Sequence, residues 1–279
     1  MPLVNTKQIL NKAKVSDYGV GSFNVYNLET TQAVMNAAEE ESSPVMIQAW
    51  SGIFDMGLVN METLASLVKT RIGLSDVPAS LHLDHGERYE TICKAIRAGF
   101  TSVMIDASTK SFEDNISLTS KVVETAHAAG VTVEAELGHV GEDKGDSILT
   151  DSKQAEQFVL ETGVDYLAVS IGSIHGYNEE DVKLNIELLK DIKKKVDIPL
   201  VLHGSSYLSG EELGKAVKNG IDKVNINTEV SVAMIKGIRE ALKSNPGTIY
   251  NNILTDGAKK EMVKVVKEKM RMLRSSNQL

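Results

Sequence analysis

Three of the six histidines in this 279-residue chain are followed directly by glycine, and each stands where an apolar, strand-like run ends. They are His85, His175 and His203, and the residue before the first of them is Asp84. Three imidazoles from separate strands, together with one carboxylate, are the groups that an open catalytic zinc site requires. The glycines allow the backbone or a ligand to approach closely. The pattern therefore predicts a metal centre that keeps a free position for a substrate.

Other polar side chains also fall on or directly after apolar runs. Asp106 ends one run, and Glu134 and Glu136 are two residues apart in the next, so they face the same side of a strand. Two carboxylates on a buried face need a cation or hydrogen-bond donors. Hydroxyl and amide side chains follow the last two runs, at residues 205–206 and 227–228. Each residue alone has an ordinary structural explanation, such as a helix cap, but their joint placement indicates one site.

The elements that must position these residues recur regularly along the chain. Eight short runs rich in β-branched residues alternate with amphipathic, helix-like segments, several of which stop at a glycine. The strand-like runs are residues 19–25, 44–49, 78–83, 101–105, 131–137, 164–169, 199–203 and 222–226. The helix-like segments between them are residues 31–41, 61–71, 89–98, 115–129, 153–161, 185–195 and 210–218. Eight such units predict an α/β fold, the (β/α)8 TIM barrel, in which catalytic residues lie at the C-terminal ends of the strands.

Extra C-terminal helices are predicted beyond the eighth strand. They end in the charged stretch 259–274, which we expect to pack on the barrel wall or on a partner subunit. An open, doubly wound sheet is the alternative fold, but it would place a glycine-rich fingerprint after the first strand. Gly19 and Gly21 instead precede and enter that strand. No proline-rich or serine-rich linker divides the chain, so residues 1–279 are predicted to form a single domain.

The composition limits the classes of partner. The formal net charge is −8 and no basic block is present, which argues against nucleic acid and anionic membranes. Cys93 is the single cysteine, so the chain can form no internal disulfide and needs no oxidising compartment. The N-terminus lacks the pattern of a signal peptide, and no apolar run approaches the roughly 18 residues of a membrane span. We therefore expect a soluble, cytoplasmic protein.

The loops after the seventh and eighth strands predict a binding site for an anion. Phosphate sites of such barrels often lie in these two loops. Backbone amides at a helix N-terminus, together with serine and threonine hydroxyls, can hold a phosphate without lysine. Such a site suits an acidic chain that acts on an anionic substrate.

With these residues assembled, the chain resembles the class II, metal-dependent ketose-bisphosphate aldolases, a family that includes fructose-1,6-bisphosphate and tagatose-1,6-bisphosphate aldolases. The likeness extends over about residues 1–270. The matching motifs, in order, are GSFNV at 21–25, LHLDHG at 81–86, SVMID at 102–106, VEAELG at 133–138, GSIHG at 172–176, VLHG at 201–204 and NINTE at 225–229. The resemblance implies a TIM barrel that reversibly cleaves a ketose bisphosphate to dihydroxyacetone phosphate and an aldehyde.

The resemblance also implies the residues that hold metal. A catalytic Zn2+ would be bound by His85, His175 and His203, and a monovalent cation is a further candidate cofactor. Asp106 and Glu136 correspond to positions that bind a second or displaced metal in some members.

The resemblance implies catalytic and substrate-binding roles for a second group of residues. Asp84 would be the acid and base at the C4 hydroxyl, and Glu142 would exchange the proton at C3. Asn225 would lie near the enediolate. The residues that would hold the phosphate of the dihydroxyacetone half are Gly176, Gly204, Ser206, Asn227 and Thr228.

The implied activity is that of a zinc-dependent aldehyde-lyase in carbohydrate metabolism, such as glycolysis, with a sugar phosphate as its small-molecule partner. The family also implies a homodimer or a homotetramer. Zinc would polarise the ketone and stabilise the enediolate left by carbon–carbon cleavage. A Schiff-base aldolase would instead need a buried lysine on a strand. Lys223 lies near the start of the eighth strand, which we expect to be the wrong end of the barrel.

Four segments depart from the family pattern. The run after strand seven is HGSSY at 203–207, where two usually small positions carry larger side chains, and QAWS at 48–51 has a tryptophan at or beside a common serine. The loop at 137–144 lacks the usual glycine pair, so Glu142 and Asp143 compete for the proton-transfer role, and His139 is expected on the loop surface or against substrate. The segment NPG at 245–247 replaces an Asp-Pro-Arg whose arginine binds the distal phosphate in many members.

These departures leave three alternatives open. Without the arginine the distal phosphate loses a bidentate anchor, so a ketose 1-phosphate with an uncharged or differently charged far end is an alternative substrate. A metal-dependent hydrolase on the same barrel also suits three histidines and an aspartate, although it leaves the anion loops unexplained. The third alternative is a zinc-binding relative with little catalysis, against which the complete set of ligands argues.

Overall fold

The computed structural model describes residues 2–141, 146–176 and 182–279. Within them, eight parallel strands close into a barrel in the order in which they occur along the chain, and the predicted TIM barrel is confirmed. Each predicted strand-like run overlaps one observed strand. The strands are β1 (Val20–Asn24), β2 (Val45–Trp50), β3 (Ala79–Gly86), β4 (Ser102–Ile105), β5 (Thr132–Leu137), β6 (Tyr166–Val169), β7 (Leu200–Leu202) and β8 (Ile221–Ile226).

The helices of the described residues surround this barrel, and each predicted helix-like segment overlaps one of them. They are α1 (Thr6–Ser16), α2 (Leu28–Glu41), α3 (Gly52–Asp55), α4 (Met61–Gly73), α5 (Tyr89–Ala98), α6 (Phe112–Ala128), α7 (Ser152–Thr162), α8 (Ile186–Lys195), α9 (Gly210–Lys218), α10 (Thr228–Ser244) and α11 (Asn251–Met272). Two of them, α1 and α3, were not predicted. None of these helices combines the length and apolar character that crossing a membrane requires.

Local sequence signals fix the ends of many helices. Asn27 caps α2 in a reciprocal capping box with Thr30, and the side chains of Ser111 and Asp151 cap α6 and α7. Such caps satisfy backbone N–H groups that have no partner within the helix. Gly99 ends α5 in the left-handed conformation, which glycine adopts without a steric penalty. These signals place each helix so that it returns the chain to the start of the next strand.

Residues two apart in the strands point into the barrel, and their chemistry changes along its axis. Near the N-terminal end, Val20, Met46 and Val201 form an apolar cluster with Tyr166. Towards the C-terminal end the interior becomes polar, and its polar side chains form hydrogen bonds with one another across the barrel. The polar interior residues are Ser22, Asn24, Gln48, His82, Asp84, Glu134, Glu136, Lys223 and Asn225. The barrel is therefore closed by a packed floor beneath a polar site.

The last helix, α11, packs against helices from the early and the late part of the chain. It packs against α10 and α2 through buried side chains that include Met262 and Val266. Gly237 and Gly257 let α10 and α11 cross so closely that a Cβ on Gly237 would overlap the backbone of Gly257. Beyond α11, the backbone N–H of Asn277 donates to the carbonyl of Glu41 at 2.8 Å. The C-terminal helical region was expected to pack on the barrel wall or on a partner subunit, and the structure shows its packing within its own chain.

Candidate metal centre and substrate cavity

The three predicted histidines converge at the C-terminal end of the barrel. His85 lies in β3, His175 follows β6 and His203 follows β7, and one ring nitrogen of each lies within 4.8 Å of the others. His85 Nε2 and His203 Nδ1 are 3.0 Å apart. The centroid of the His175 ring lies 5.4 Å from that of His85 and 6.0 Å from that of His203. The structure thus gathers residues that are separated by up to 118 positions in the sequence.

Backbone conformation helps to aim His85. Its φ is +50°, in the left-handed region that few residues other than glycine adopt, and the pairing of β3 with β4 shifts register between Leu83 and Gly86. Backbone strain of this kind costs of order 1–3 kcal/mol and occurs preferentially at functional sites. The local irregularity turns the imidazole towards the other two histidines.

Carboxylates hold two of the rings by the nitrogen that faces away from the cluster. Asp106 Oδ2 lies 2.7 Å from His85 Nδ1, and Glu134 Oε1 lies 2.8 Å from His203 Nε2. Such hydrogen bonds fix the tautomer and orientation of metal-binding histidines. The remaining nitrogens, His85 Nε2 and His203 Nδ1, therefore face the centre of the cluster, where both would be electron-pair donors once a cation replaces the proton of His85.

The electrostatics of the cluster fit a divalent cation. Burial lowers the pKa of His175 to about 4 and that of His203 well below its usual range, so both rings are neutral. Burial alone would also lower the pKa of His85, but the negative charges of Asp84 and Asp106 outweigh it and raise this pKa to about 10. The site therefore favours positive charge at its centre. Three nitrogen donors with carboxylates behind them match the ligands that zinc prefers.

A second potential metal group shares His85 with Asp106 and Glu136. Glu136 is 1% exposed, its Oε1 accepts the backbone N–H of Val140, and its Oε2 is buried without a hydrogen-bond partner. Burial, and then the charge of Asp106, raise the pKa of Glu136 to about 8. An unsatisfied buried carboxylate oxygen next to two ligand candidates is consistent with the predicted position for a second or displaced metal.

Asp84 is held beside the histidine cluster by three side-chain amides. Asn24 Nδ2 donates to Asp84 Oδ2 at 3.1 Å, Gln48 Nε2 lies 3.3 Å from the same oxygen, and Asn225 Nδ2 donates to Oδ1 at 3.1 Å. Burial tends to raise the pKa of Asp84, but the positive charges of His85 and Lys223 and the hydrogen bond from Asn24 lower it overall. The carboxylate is therefore ionised, with Oδ1 3.8 Å from His85 Nε2, and can accept a proton.

The predicted anion-binding residues lie on one side of the same cavity, whose volume is about 490 Å³. Helix α10 begins there, and its N-cap Asn227 makes no capping hydrogen bond because its side chain accepts from the Tyr26 hydroxyl at 2.7 Å. The backbone N–H groups of the first helical turn are thus left for an anion. The predicted residues that line the cavity are Gly176, Gly204, Ser206, Asn225, Asn227 and Thr228.

Gly204 is required by its surroundings. Its φ is +60°, and a Cβ would lie 2.6 Å from the carbonyl carbon and oxygen of Ile174, directly before His175.

We expect Gly204→Ala to lower the free energy of unfolding by more than about 1 kcal/mol and to displace the loop after β6. Urea denaturation measures this effect. The matched control is Gly214→Ala in α9, where no atom lies within 4 Å of the added methyl group, and it should stabilise by about 0.5–1 kcal/mol. Equal stabilities for the two variants would contradict the steric argument.

Lys223 was predicted to lie at the end of the barrel away from the site, and the structure corrects this prediction. Its side chain is fully buried in the interior, where Nζ donates to Glu134 Oε2 at 2.7 Å, and Glu134 in turn contacts His203. The spacing of two residues from Asn225 in β8 is the sequence signal that identifies it as inward-facing. Lys223 thus lies beneath the metal cluster, with its charge matched by a carboxylate.

Removing only one partner of this buried ion pair should be strongly destabilising. We expect Lys223→Met to lower the free energy of unfolding by about 3–5 kcal/mol, because Glu134 keeps a buried charge without its partner. Adding Glu134→Gln removes that charge and should recover most of the loss. The measurement is urea denaturation of the metal-free proteins. A double variant as unstable as Lys223→Met would argue against the ion pair as the cause.

Other sequence predictions have mixed outcomes in the described residues. Trp50 lines the cavity and is 37% exposed, and His139 also lines it. Glu142 and Asp143, the two candidates for proton exchange, lie outside the described residues. The amides of Asn24 and Gln48 were not predicted as site residues, although Asn24 belongs to the GSFNV motif that carried the resemblance. Their roles depend on neighbours across three strands, which no local pattern shows.

A closed barrel with convergent imidazoles at its C-terminal end is typical of a barrel enzyme that uses a divalent metal. The family model described as "Fructose-bisphosphate aldolase class-II" matches residues 4–278. The chain belongs to this family, whose members are zinc-dependent lyases. The predicted family and enzyme class are confirmed by this match.

Named relatives align with this chain over nearly its whole length. It is 41% identical to the "Probable fructose-bisphosphate aldolase" of Bacillus subtilis, over 100% of both chains. It is 43% identical to the fructose-bisphosphate aldolase of Geobacillus stearothermophilus, over 99% of this chain and 98% of that one. Among solved structures, the YdjI aldolase of Escherichia coli K12 superposes with a TM-score of 0.87 at 34% identity and covers 99% of each chain.

Proposed function

We propose that this class II aldolase reversibly cleaves a ketose that carries a phosphate on C1, giving dihydroxyacetone phosphate and an aldehyde. The observation that carries the proposal is an ionised carboxylate, Asp84, beside three convergent imidazoles in a cavity that also contains the N-terminus of α10. The proposed metal is Zn2+, held by His85, His175 and His203, with Asp106 and Glu136 as the second group. A monovalent cation stays a prediction.

The proposed chemistry assigns the proton transfer at C4 to Asp84. Zn2+ bound by the three histidines would polarise the ketone and stabilise the negative charge that develops on the dihydroxyacetone half. Asp84 takes the proton of the C4 hydroxyl, the C3–C4 bond breaks, and the aldehyde leaves. In the reverse direction Asp84 returns this proton. Asn24 and Asn225 orient the carboxylate, and the first turn of α10 holds the phosphate.

Proton exchange at C3 is assigned to Glu142, with Asp143 as the competing candidate. Both acids follow Gly141, which lines the cavity. The proposal extends to a homodimer or homotetramer, which remains a prediction from the resemblance, and to a cytoplasmic location, which remains a prediction from the sequence.

The substrate is either a ketose 1,6-bisphosphate of the fructose or tagatose series or a ketose 1-phosphate, and one observation favours the second. In the described parts of the chain, the cavity wall contains no lysine and no arginine. The wall also carries the indole of Trp50 and the carboxylate of Glu87. Among the described residues of this cavity, a second phosphate would meet no guanidinium or ammonium group, whereas an uncharged chain of hydroxyls would be accepted.

The two alternatives to an aldolase lack comparable support. A hydrolase would need no anion-binding helix end, and a relative without catalysis would need no ionised Asp84 beside the metal ligands. The arrangement of Asp84 beside the three histidines therefore supports carbon–carbon cleavage.

A coupled cleavage assay on zinc-reconstituted protein tests the proposal. The panel holds fructose-1,6-bisphosphate, tagatose-1,6-bisphosphate and the matching ketose 1-phosphates, each with and without a chelator. We expect chelator-sensitive cleavage with a preference for the 1-phosphates. A strong preference for a bisphosphate would refute the monophosphate assignment and keep the aldolase. Cleavage that survives the chelator, or no cleavage of any ketose phosphate, would refute the metal-dependent mechanism.

A further inference from the structure

Trp50 is the single tryptophan of the chain, and the proposed mechanism gives it no task. It is the last residue of β2, lines the substrate cavity and is 37% exposed. Residues two apart in a strand share one side, and the two earlier residues on this side are Met46, in the apolar floor, and Gln48, beside Asp84. Trp50 is therefore the third inward position of β2, at the mouth of the barrel.

Main-chain contacts hold Trp50 beside the proposed acid–base residue. In the parallel register of β2 and β3, Trp50 is the partner of Asp84. The backbone N–H of Ser51 donates to the carbonyl of Asp84 at 2.9 Å, and the Ser51 hydroxyl donates to the carbonyl of His85 at 2.5 Å. The turn after β2 is thus tied to the end of β3, and the position of Trp50 relative to Asp84 is fixed.

The indole lies against a glycine that leaves room for it. A Cβ added to Gly52 would lie 2.5 Å from both Cη2 and Cζ2 of the Trp50 ring. The six-membered ring therefore packs directly on the first residue of α3. Because Trp50 also lines the cavity, the part of the ring that α3 leaves uncovered is an apolar surface in the cavity wall.

The strand order places this surface at the far end of the proposed substrate. The residues proposed to hold the phosphate follow β6, β7 and β8, and in a closed ring of eight strands β2 and β3 lie across from β6 and β7. With the C4 hydroxyl at Asp84, the carbons beyond C4 lie on the side of the cavity away from the phosphate. Trp50 is the neighbour of Asp84 in the sheet on that side.

Building on the proposed aldolase function, we propose that Trp50 is a specificity-determining residue whose indole packs against the C–H groups of the substrate chain beyond C4. An indole is a large, rigid apolar surface that carries no charge and has a single N–H donor. Its contacts with a hydroxylated carbon chain increase with the length of that chain, whereas a phosphate placed against it would lose water without gaining a cation. The favoured substrates are therefore ketose 1-phosphates with several uncharged carbons beyond C4.

The test measures condensation of dihydroxyacetone phosphate with three aldehydes of increasing length, namely glycolaldehyde, glyceraldehyde and erythrose. We expect Trp50→Ala to lower kcat/KM for erythrose about tenfold, which is the usual effect of losing one apolar contact group, and to leave kcat/KM for glycolaldehyde within about twofold of the wild type. Trp50→Phe keeps an aromatic surface and should recover part of the loss with erythrose.

A second variant moves the indole without removing it. In Gly52→Ala the added methyl group meets the far end of the Trp50 side chain, which can turn away, so the dependence on aldehyde length should weaken. Gly73→Ala in α4 is the matched control, since no atom lies within 4 Å of its added methyl group, and all three kcat/KM values should stay unchanged. Because Trp50 is the single tryptophan, fluorescence emission reports on this position alone, and it should change only in Gly52→Ala. Unchanged emission in that variant would contradict the placement of the indole on which the inference rests.

Proton exchange on dihydroxyacetone phosphate alone separates this inference from the proposed function. The exchange involves no aldehyde, so it should persist in Trp50→Ala. Equal losses with all three aldehydes, or no loss with any of them, would overturn the role of Trp50 while leaving the aldolase in place. A wild-type protein that shows neither exchange nor condensation would refute the proposed function and this inference with it.

Discussion

Asp84→Ala is expected to bind zinc with the stoichiometry of the wild type and to lose carbon–carbon cleavage by about a thousandfold, within the range typical of general acid–base catalysis. The carboxylate lies at the edge of the histidine cluster, with its Oδ1 3.8 Å from His85 Nε2, and three amides keep it oriented and ionised. No other described carboxylate is held by this set of amides. The measurements are steady-state cleavage and metal content of the same preparation.

Two controls separate the role of Asp84 from general damage to the site. Asp84 acts on the C4 hydroxyl of the aldehyde half, so proton exchange on dihydroxyacetone phosphate should persist in the variant. Asp55→Ala removes an exposed carboxylate that is paired with Arg88, and it should leave turnover unchanged. Turnover of Asp84→Ala near the wild-type level would show that the assigned acid–base role is wrong.

His203→Ala should weaken zinc binding by more than about 100-fold, since outer-sphere partners of a metal site alone contribute 10- to 100-fold. Its Nδ1 faces the cluster 3.0 Å from His85 Nε2, and its Nε2 is bonded to Glu134. Activity should fall with metal content and recover in part at high zinc concentration. Competition with a fluorescent chelator measures the affinity directly.

The matched control for this variant is His127→Ala. That histidine is 43% exposed on the last turn of α6, paired with Asp165 far from the cavity. Its removal should leave zinc stoichiometry and affinity as in the wild type. Unchanged metal content in His203→Ala would remove that residue from the set of ligands.

The barrel could be predicted because every strand is buried on both faces and every helix on one, so that the pattern repeats eight times. The two helices that were not predicted differ in their signals. Helix α1 buries Thr6, Ile9, Leu10 and Ala13 at helical spacing, and Asn5 supplies a side-chain cap, so its signals are present in the sequence. Helix α3 has four residues and no side-chain cap, so its position depends on contacts with the barrel rather than on its own sequence.

The residues of the site likewise fall into those that the sequence predicts and those that it does not. His85, His175 and His203 could be recognised because each ends a strand, and barrel geometry brings strand ends together. The positions of Lys223 and Gln48 follow from contacts between strands. A lysine near the start of β8 reaches Glu134 because its side chain is long and points inward. Such cross-barrel pairs require the register of the strands, and the linear sequence does not contain it.

The packing of α11 against α2 affects how the protein folds during its synthesis. The partner of α2, formed by Met262, Val266 and their neighbours, leaves the ribosome only after all eight strands. The edge of β1 likewise waits for β8. Until these elements are made, the nascent chain therefore carries an unpaired strand edge and an uncovered apolar helix face. Cellular yield should depend on the chaperones that shield these surfaces until the final turn of α11 arrives.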